Sequence, residues 1–208
     1  MTTATTVPST TALPVLDEAG ARALFTDART ANTFAATPVG DDELRAVWEL
    51  TRWAPTAANF QPLRVLFVRT PEGKARLLPA MADGNRARTG SAPVTAVLAL
   101  DSRFHEHIPT VMPPMADRVA GLEADEDARL ATARTNAAMQ TAYFLLAARA
   151  RGLATGPMGG FDAAALDAEL FPDGRWRSVL VVNLGHPGEG AYRPRMPRLD
   201  ESEVLAWA

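Results

Sequence analysis

The longest regular pattern in the chain runs from about Asp125 to Arg151 and stops at Gly152, where a helix takes its C′ glycine. From Ala137 to Ala148 it is Ala-rich and apolar over most of its circumference, and a helix apolar nearly all round is buried on all sides. In a chain of 208 residues that requires a fold wrapped around a central helix, or a helix shared with a second copy of the chain. A chain this long can bury a core of its own as one domain.

The remaining pattern alternates helices with short apolar runs. Helical spacing is expected from Asp17 to Phe25 and again from the acidic start Asp41-Asp42-Glu43, where Leu44, Val47, Trp48 and Thr51 recur on one face. Leu63–Arg69 reads as a strand, Pro71 opens a helix to about Met81, and Val94–Leu100 and Val179–Leu184 are runs of buried-strand length. Asp162 is placed to cap a helix ending at Leu170. Residues 1–14 read as a disordered tail and 15–208 as a single domain, with 185–208 a Pro- and Arg-rich extension. Residues 101–122 hold Pro109, Pro113, Pro114 and Gly121 and read as a mobile, lid-like excursion. The class is α/β or α+β with about four strands.

Composition removes several chemistries. With no cysteine there is no disulfide, thiolate metal site or cysteine nucleophile. A net charge of −3 offers no general footprint for nucleic acid, and no apolar stretch is long enough to span a membrane. The opening residues lack the charged and apolar regions of a signal peptide, so a cytoplasmic protein is expected. His105 and His107 want a third ligand for a metal, and the other histidine, His186, is remote in sequence; no metal is expected.

Three segments could carry chemistry. Thr155-Gly-Pro-Met-Gly-Gly-Phe161 could let a backbone approach a ligand and offer free amides, or could be a plain connection before the Asp162 cap. Trp53-Ala-Pro-Thr-Ala-Ala-Asn-Phe-Gln-Pro62 carries amide side chains suited to a heterocycle edge or ribityl hydroxyls, or serves only to satisfy its own loop. Asn85 and Arg88, ahead of the strand at Val94, could equally be a solvated helix end.

Taken in order, these pieces resemble the FMN-dependent nitroreductase family. Ala28-Arg-Thr-Ala-Asn-Thr-Phe34 is similar to its N-terminal basic motif, Trp53–Pro62 to its W-A-P-S-x-x-N-x-Q-P-W, Asn85–Arg88 to its N-x-x-[KR], and Gly156–Phe161 to its flavin-facing loop, with Arg195 and Arg198 completing the set. The resemblance implies an α+β fold with a central mixed sheet of four to five strands flanked by helices, an extended C-terminal arm and an intertwined homodimer. It implies FMN as cofactor and NADH or NADPH as hydride donor in a ping-pong sequence. Arg29, Thr30, Asn32, Arg195 and Arg198 would bind the phosphate, although Ala28 and Asn32 stand where the family usually has cations. Asn85 and Arg88 would meet the flavin pyrimidine, where a cation stabilises the reduced ring. Pro157, Met158, Gly159 and Gly160 would line the flavin, with the backbone amides of Gly159 and Gly160 meeting its N5 and O4. Pro55, Thr56, Ala57, Asn59 and Gln61 would come from the loop of the second subunit. No matched motif holds an obvious catalytic acid, so the chemistry would rest on the flavin.

Phe25–Thr30, Ala92-Pro-Val-Thr-Ala96 and Thr155–Phe161 look most like the malonic semialdehyde reductases of pyrimidine degradation. For such a carboxylate-bearing acceptor Arg103, His105, His107 and Arg118 in the excursion are the candidate partners. A broad nitro- or quinone reductase is the alternative acceptor reading, and a flavin-binding protein without turnover the alternative of another class.

Overall fold

A computed structural model describes residues 13–208. The expected tail falls outside the described residues up to position 12, and Leu13 and Pro14 are exposed and irregular.

Asp17 opens α1 (Glu18–Ala21), its side chain accepting from the Gly20 amide, and one wider turn continues to Thr26. In α2 (Asp41–Thr51) the first turn holds three carboxylates, and the Gly40 amide donates to Glu43, a charge arrangement that suits a helix N-terminus. β1 (Leu63–Val68) leads to α3 (Pro71–Leu77), capped by Thr70. The helix expected to reach Met81 tightens over Leu78–Ala80 instead, because Pro79 supplies no amide for an α-turn. Asn85 and Arg88 lie within α4 (Asp83–Ser91), which ends just before β2 (Val94–Asp101).

Residues 101–122 are not irregular. They form tight turns around α5 (Ile108–Val111) and α6 (Arg118–Ala124), with Phe104 and Ile108 fully buried among Phe60, Leu130 and Ala133. Proline restricts helix length but does not prevent packing, so the segment folds as short apolar turns.

α7 (Glu126–Ala150) follows the sequence pattern closely: Asp125 caps it and Gly152, at φ +77°, ends it. It is not covered all round, however. Met139, Ala142 and Tyr143 form an exposed face in the single chain, while Ala133, Ala137, Phe144 and Ala148 face inward. The remaining elements are β3 (Ala154–Met158), α8 (Ala163–Leu170) capped by Asp162, β4 (Trp176–Gly185) and α9 (Glu201–Val204).

The sheet order is β1-β2-β4-β3, and all three pairings are antiparallel. The mixed sheet implied by the resemblance is therefore antiparallel within one chain. The one parallel pairing among the described residues is an isolated bridge between Thr30 and Thr155, and β1 and β3 remain the edges. β3 carries Gly156 and Pro157, which a strand tolerates at an edge where one row of amides has no partner. β2 is buried along its whole length. Val94, Ala96 and Leu98 meet α2 and α7 on one face, and Val97 and Ala99 meet α3 and α8 on the other. This three-layer packing fixes which residues emerge at each end of the sheet. Among the described residues, no helix is long and apolar enough to cross a membrane.

Candidate functional site

The expected site residues separate into two groups at opposite ends and edges of the sheet. One group gathers beside β3. Thr30 bridges to Thr155, the Asn32 amide donates to the Ala191 carbonyl at 2.9 Å, and the C-terminal segment crosses the same region. The other group, Pro55 to Gln61, precedes Leu63, which pairs with Leu100 at the far end of β2. Six residues of strand separate Leu100 from Val94, roughly 20 Å at about 3.3 Å per residue.

The first group encloses a groove of about 370 Å³ lined by Arg29, Thr30, Asn32, Arg149, Arg193, Arg195 and Arg198. Its cations are held by neutral oxygens. Arg195 donates to the carbonyls of Thr26 at 2.5 Å and Ala28 at 2.9 Å, Arg29 to that of Arg193 at 3.3 Å, and Arg198 to those of Met196 and Pro197. None of these five arginines is ion-paired among the described residues. Backbone acceptors orient a guanidinium without neutralising it, so the groove keeps a strongly positive potential. Burial, and then repulsion from Arg195, pulls the Arg149 pKa below its ordinary value.

Asn32 joins this groove to the pair on α4. Arg88 donates one amine to Asn32 Oδ1 at 3.4 Å and another to Asn85 Oδ1, while Asn85 Nδ2 donates to the Gly160 carbonyl at 2.8 Å. The Arg88 Nε is buried without a partner. A Cβ on Gly160 would stand 2.7 Å from Asn85 Nδ2, so any other residue there would displace the Asn85 amide from the Gly160 carbonyl. Gly159 and Gly160 are exposed, and the Gly159 position is open. The Met158 side chain is buried with Leu166 and Val181. Pro157 is half-buried within β3.

The second group is a strained loop supported by α7. Ala58, Asn59 and Gln61 all adopt positive φ, at 46°, 56° and 47°, a conformation that costs L-residues energy and needs external support. Asn136 Oδ1 accepts from the Ala57 amide at 2.6 Å and Gln140 Oε1 from the Leu63 amide at 2.9 Å, both side chains being almost wholly buried. Thr56 Oγ1 accepts from the Gln61 amide, Asn59 Nδ2 donates to the Val111 carbonyl, and Gln61 Nε2 to Asn59 Oδ1. The loop therefore uses part of its own amide capacity, while Pro55, Ala57 and Asn59 stay exposed.

Three of the four expected acceptor-binding cations are engaged internally. His105 is fully buried with Nε2 2.5 Å from Glu123, Arg103 pairs with Glu106 at 2.6 Å, and His107 lies 3.7 Å from Asp101. Burial raises the Asp101 pKa, but hydrogen bonds from Arg175 and the Arg103 amide and the charges of Arg64 and Arg175 outweigh it, leaving the pKa below the ordinary value. This ionised carboxylate anchors the excursion. Arg118 is exposed.

Sequence reasoning passed over Arg149 and Arg193 in the groove and Asn136 and Gln140 beneath the loop. Asn136 and Gln140 were detectable as two amides four residues apart on an otherwise apolar helix, a spacing that puts both on one face.

The model of the nitroreductase family matches residues 26–186. A Streptomyces coelicolor protein provisionally named NADH dehydrogenase/NAD(P)H nitroreductase is 56% identical over 191 residues, covering 92% of this chain and 94% of that protein. Two solved nitroreductase structures share the fold. That from Bacillus subtilis has a TM-score of 0.82 at 23% identity, covering 92% of this chain and 100% of its own. That from Exiguobacterium sibiricum, solved with FMN, has a TM-score of 0.79 at 20% identity, covering 95% and 100%. With the family's model matching from the start of the groove through β4, and a close relative aligned nearly end to end, the chain belongs to the nitroreductase family.

Proposed function

We propose that this protein is an FMN-dependent NAD(P)H oxidoreductase that works as a homodimer. The observation that carries the reading is the groove of five arginines without a carboxylate, continuous through Asn32 with Arg88. The residues present fit a riboflavin monophosphate. Buried, unpartnered Nε atoms on both Arg88 and Arg149 await acceptors, and a side chain at Gly160 would push the Asn85 amide aside. The Exiguobacterium nitroreductase binds FMN on the same fold, and the Streptomyces relative is named for NADH and NAD(P)H.

Bound FMN would supply hydride transfer between NADH or NADPH and an acceptor, in a ping-pong sequence. Arg29, Thr30, Arg195 and Arg198 hold the dianionic phosphate through charge-assisted hydrogen bonds. Asn85 keeps the Gly160 carbonyl turned away, so that the Gly159 and Gly160 amides can donate to the ring edge. Arg88, braced by Asn85 and Asn32, places a fixed positive charge at the pyrimidine edge, where it favours the electron-rich ring over the neutral one. The Pro55–Gln61 loop stands too far from the groove to serve it in the same chain. A second copy is required to bring that loop to the cofactor and to cover Met139 and Tyr143. Purified protein that is yellow and releases FMN on denaturation is the expected result; stoichiometric FAD, or no flavin uptake, would refute the proposal.

For the acceptor we propose malonic semialdehyde, reduced to 3-hydroxypropionate, on the resemblance of residues 92–96 and 155–161 to that subgroup, with exposed Arg118 as carboxylate partner. The second reading is a broad nitro- or quinone reductase. It draws support from the internal pairing of Arg103, His105 and His107, which leaves fewer cations for a substrate carboxylate. The ratio of kcat/KM for the semialdehyde to that for nitrofurazone decides between them, and its selective loss in Arg118→Ala is the mark of the first.

A further inference from the structure

Arg149 projects from the last turn of α7 into the arginine groove. One of its amines donates to the Leu24 carbonyl at 3.3 Å, and its Nε is buried with no partner. No carboxylate pairs with it among the described residues, and Arg195 stands near enough to repel it. A half-buried guanidinium beside another, with a buried N–H left unused, is costly unless an anion completes it. Two other positions lining the groove, Ala28 and Asn32, carry no charge. The groove thus draws positive charge from a helix that the N-terminal and C-terminal basic motifs do not include.

We propose that Arg149 is a phosphate-binding residue of the cofactor site, its guanidinium donating to oxygens of the FMN phosphate and adding charge to a groove whose positions 28 and 32 carry none. This assignment rests on the FMN reading above and extends it to a residue outside the recognised motifs. A phosphate monoester carries close to two negative charges and binds best to planar, multi-donor cations. The C-terminal end of α7 also favours a cation there before the anion arrives.

The test compares FMN with riboflavin, which lacks the phosphate, by fluorescence titration of flavin-stripped wild-type protein and of Arg149→Gln and Arg149→Lys. FMN affinity should fall roughly ten- to hundredfold in Arg149→Gln, the size of a lost charge-assisted hydrogen bond, with riboflavin affinity unchanged. Arg149→Lys should fall between, because it keeps the charge but loses the Nε donor. Flavin-stripped Arg149→Gln should melt higher than flavin-stripped wild type, since a half-buried charge with no carboxylate partner is gone, and inorganic phosphate should stabilise wild type more than the variant. Equal losses for FMN and riboflavin, or no loss of FMN, overturn the assignment. Should Arg149→Gln not fold, an Arg149→Lys affinity for FMN equal to wild type does so. Wild-type protein that binds neither flavin refutes the FMN reading itself, a result distinct from these.

Discussion

Asn136 Oδ1 accepts the Ala57 amide at 2.6 Å, and this hydrogen bond couples the middle of the central helix to a loop that holds three non-glycine residues at positive φ. The same side chain donates to the Thr132 carbonyl at 2.8 Å, which fixes its orientation. Asn136→Ala leaves the Ala57 amide without its acceptor and the strained loop without its brace. The expected cost is about 1–3 kcal/mol of stability, read by thermal melting. FMN and riboflavin affinities should fall together, because the loop would meet the flavin away from the phosphate. An unchanged melting temperature and unchanged flavin affinity would remove Asn136 from the site.

Arg88 carries the fixed charge nearest Asn85 and Gly160. Arg88→Ala should lower the reduction potential of the bound flavin by roughly 30–60 mV, the two-electron equivalent of about 1.5–3 kcal/mol. FMN affinity should change less, because the charge matters more to the reduced ring than to the oxidised one. Spectroelectrochemical titration of both proteins checks this, and equal potentials would reject the role.

The single lysine, Lys74, is buried between α3, α4 and β2, donating to the Thr89 carbonyl at 2.7 Å and to Thr95 Oγ1 at 2.6 Å. Burial lowers its pKa from 10.5 to about 8. The unfolded chain therefore binds the proton more tightly between those values, and stability rises with pH across that window as the buried charge is relieved. Relative to Lys74→Met, wild type should gain about 2 kcal/mol between about pH 7.5 and 9.5. Melting curves of both proteins across that range test the sign; a gap that stays constant or narrows the other way contradicts it.

Cofactor and assembly should be linked, since the groove and the Pro55–Gln61 loop occupy opposite ends of one chain's sheet. Removal of FMN should lower the melting temperature, and by more at low protein concentration. Light scattering that finds a monomer still holding FMN tightly would be incompatible with a site built from two copies.

Much of this was legible in the sequence because some signals are local. Asp125 and Gly152 bound α7, Asp162 caps α8, and the run at Val94 is apolar enough to be buried on both faces whatever surrounds it. β3 was not legible, since Gly156 and Pro157 erase the alternation and pairing with β4 alone makes it a strand. The turns at 104–115 depend on Phe104 and Ile108 meeting α7, a tertiary contact that proline spacing conceals. That α7 is either central or shared with a second copy could be read from its apolar circumference, but which residues stay exposed could not, because alanine and tyrosine suit either side of an interface. Arg149 escaped for a related reason: a lone arginine in a last helical turn is what a helix end favours, and only the return of the C-terminal segment makes it part of a groove.

The most direct measurement is an anaerobic visible spectrum of the purified protein before and after addition of NADH or NADPH, followed by identification of the flavin released on denaturation. The predicted result is a yellow protein whose flavin band bleaches with at least one donor and which releases stoichiometric FMN. A colourless protein that FMN fails to stabilise, release of FAD, or a flavin that stays oxidised with both donors would contradict it.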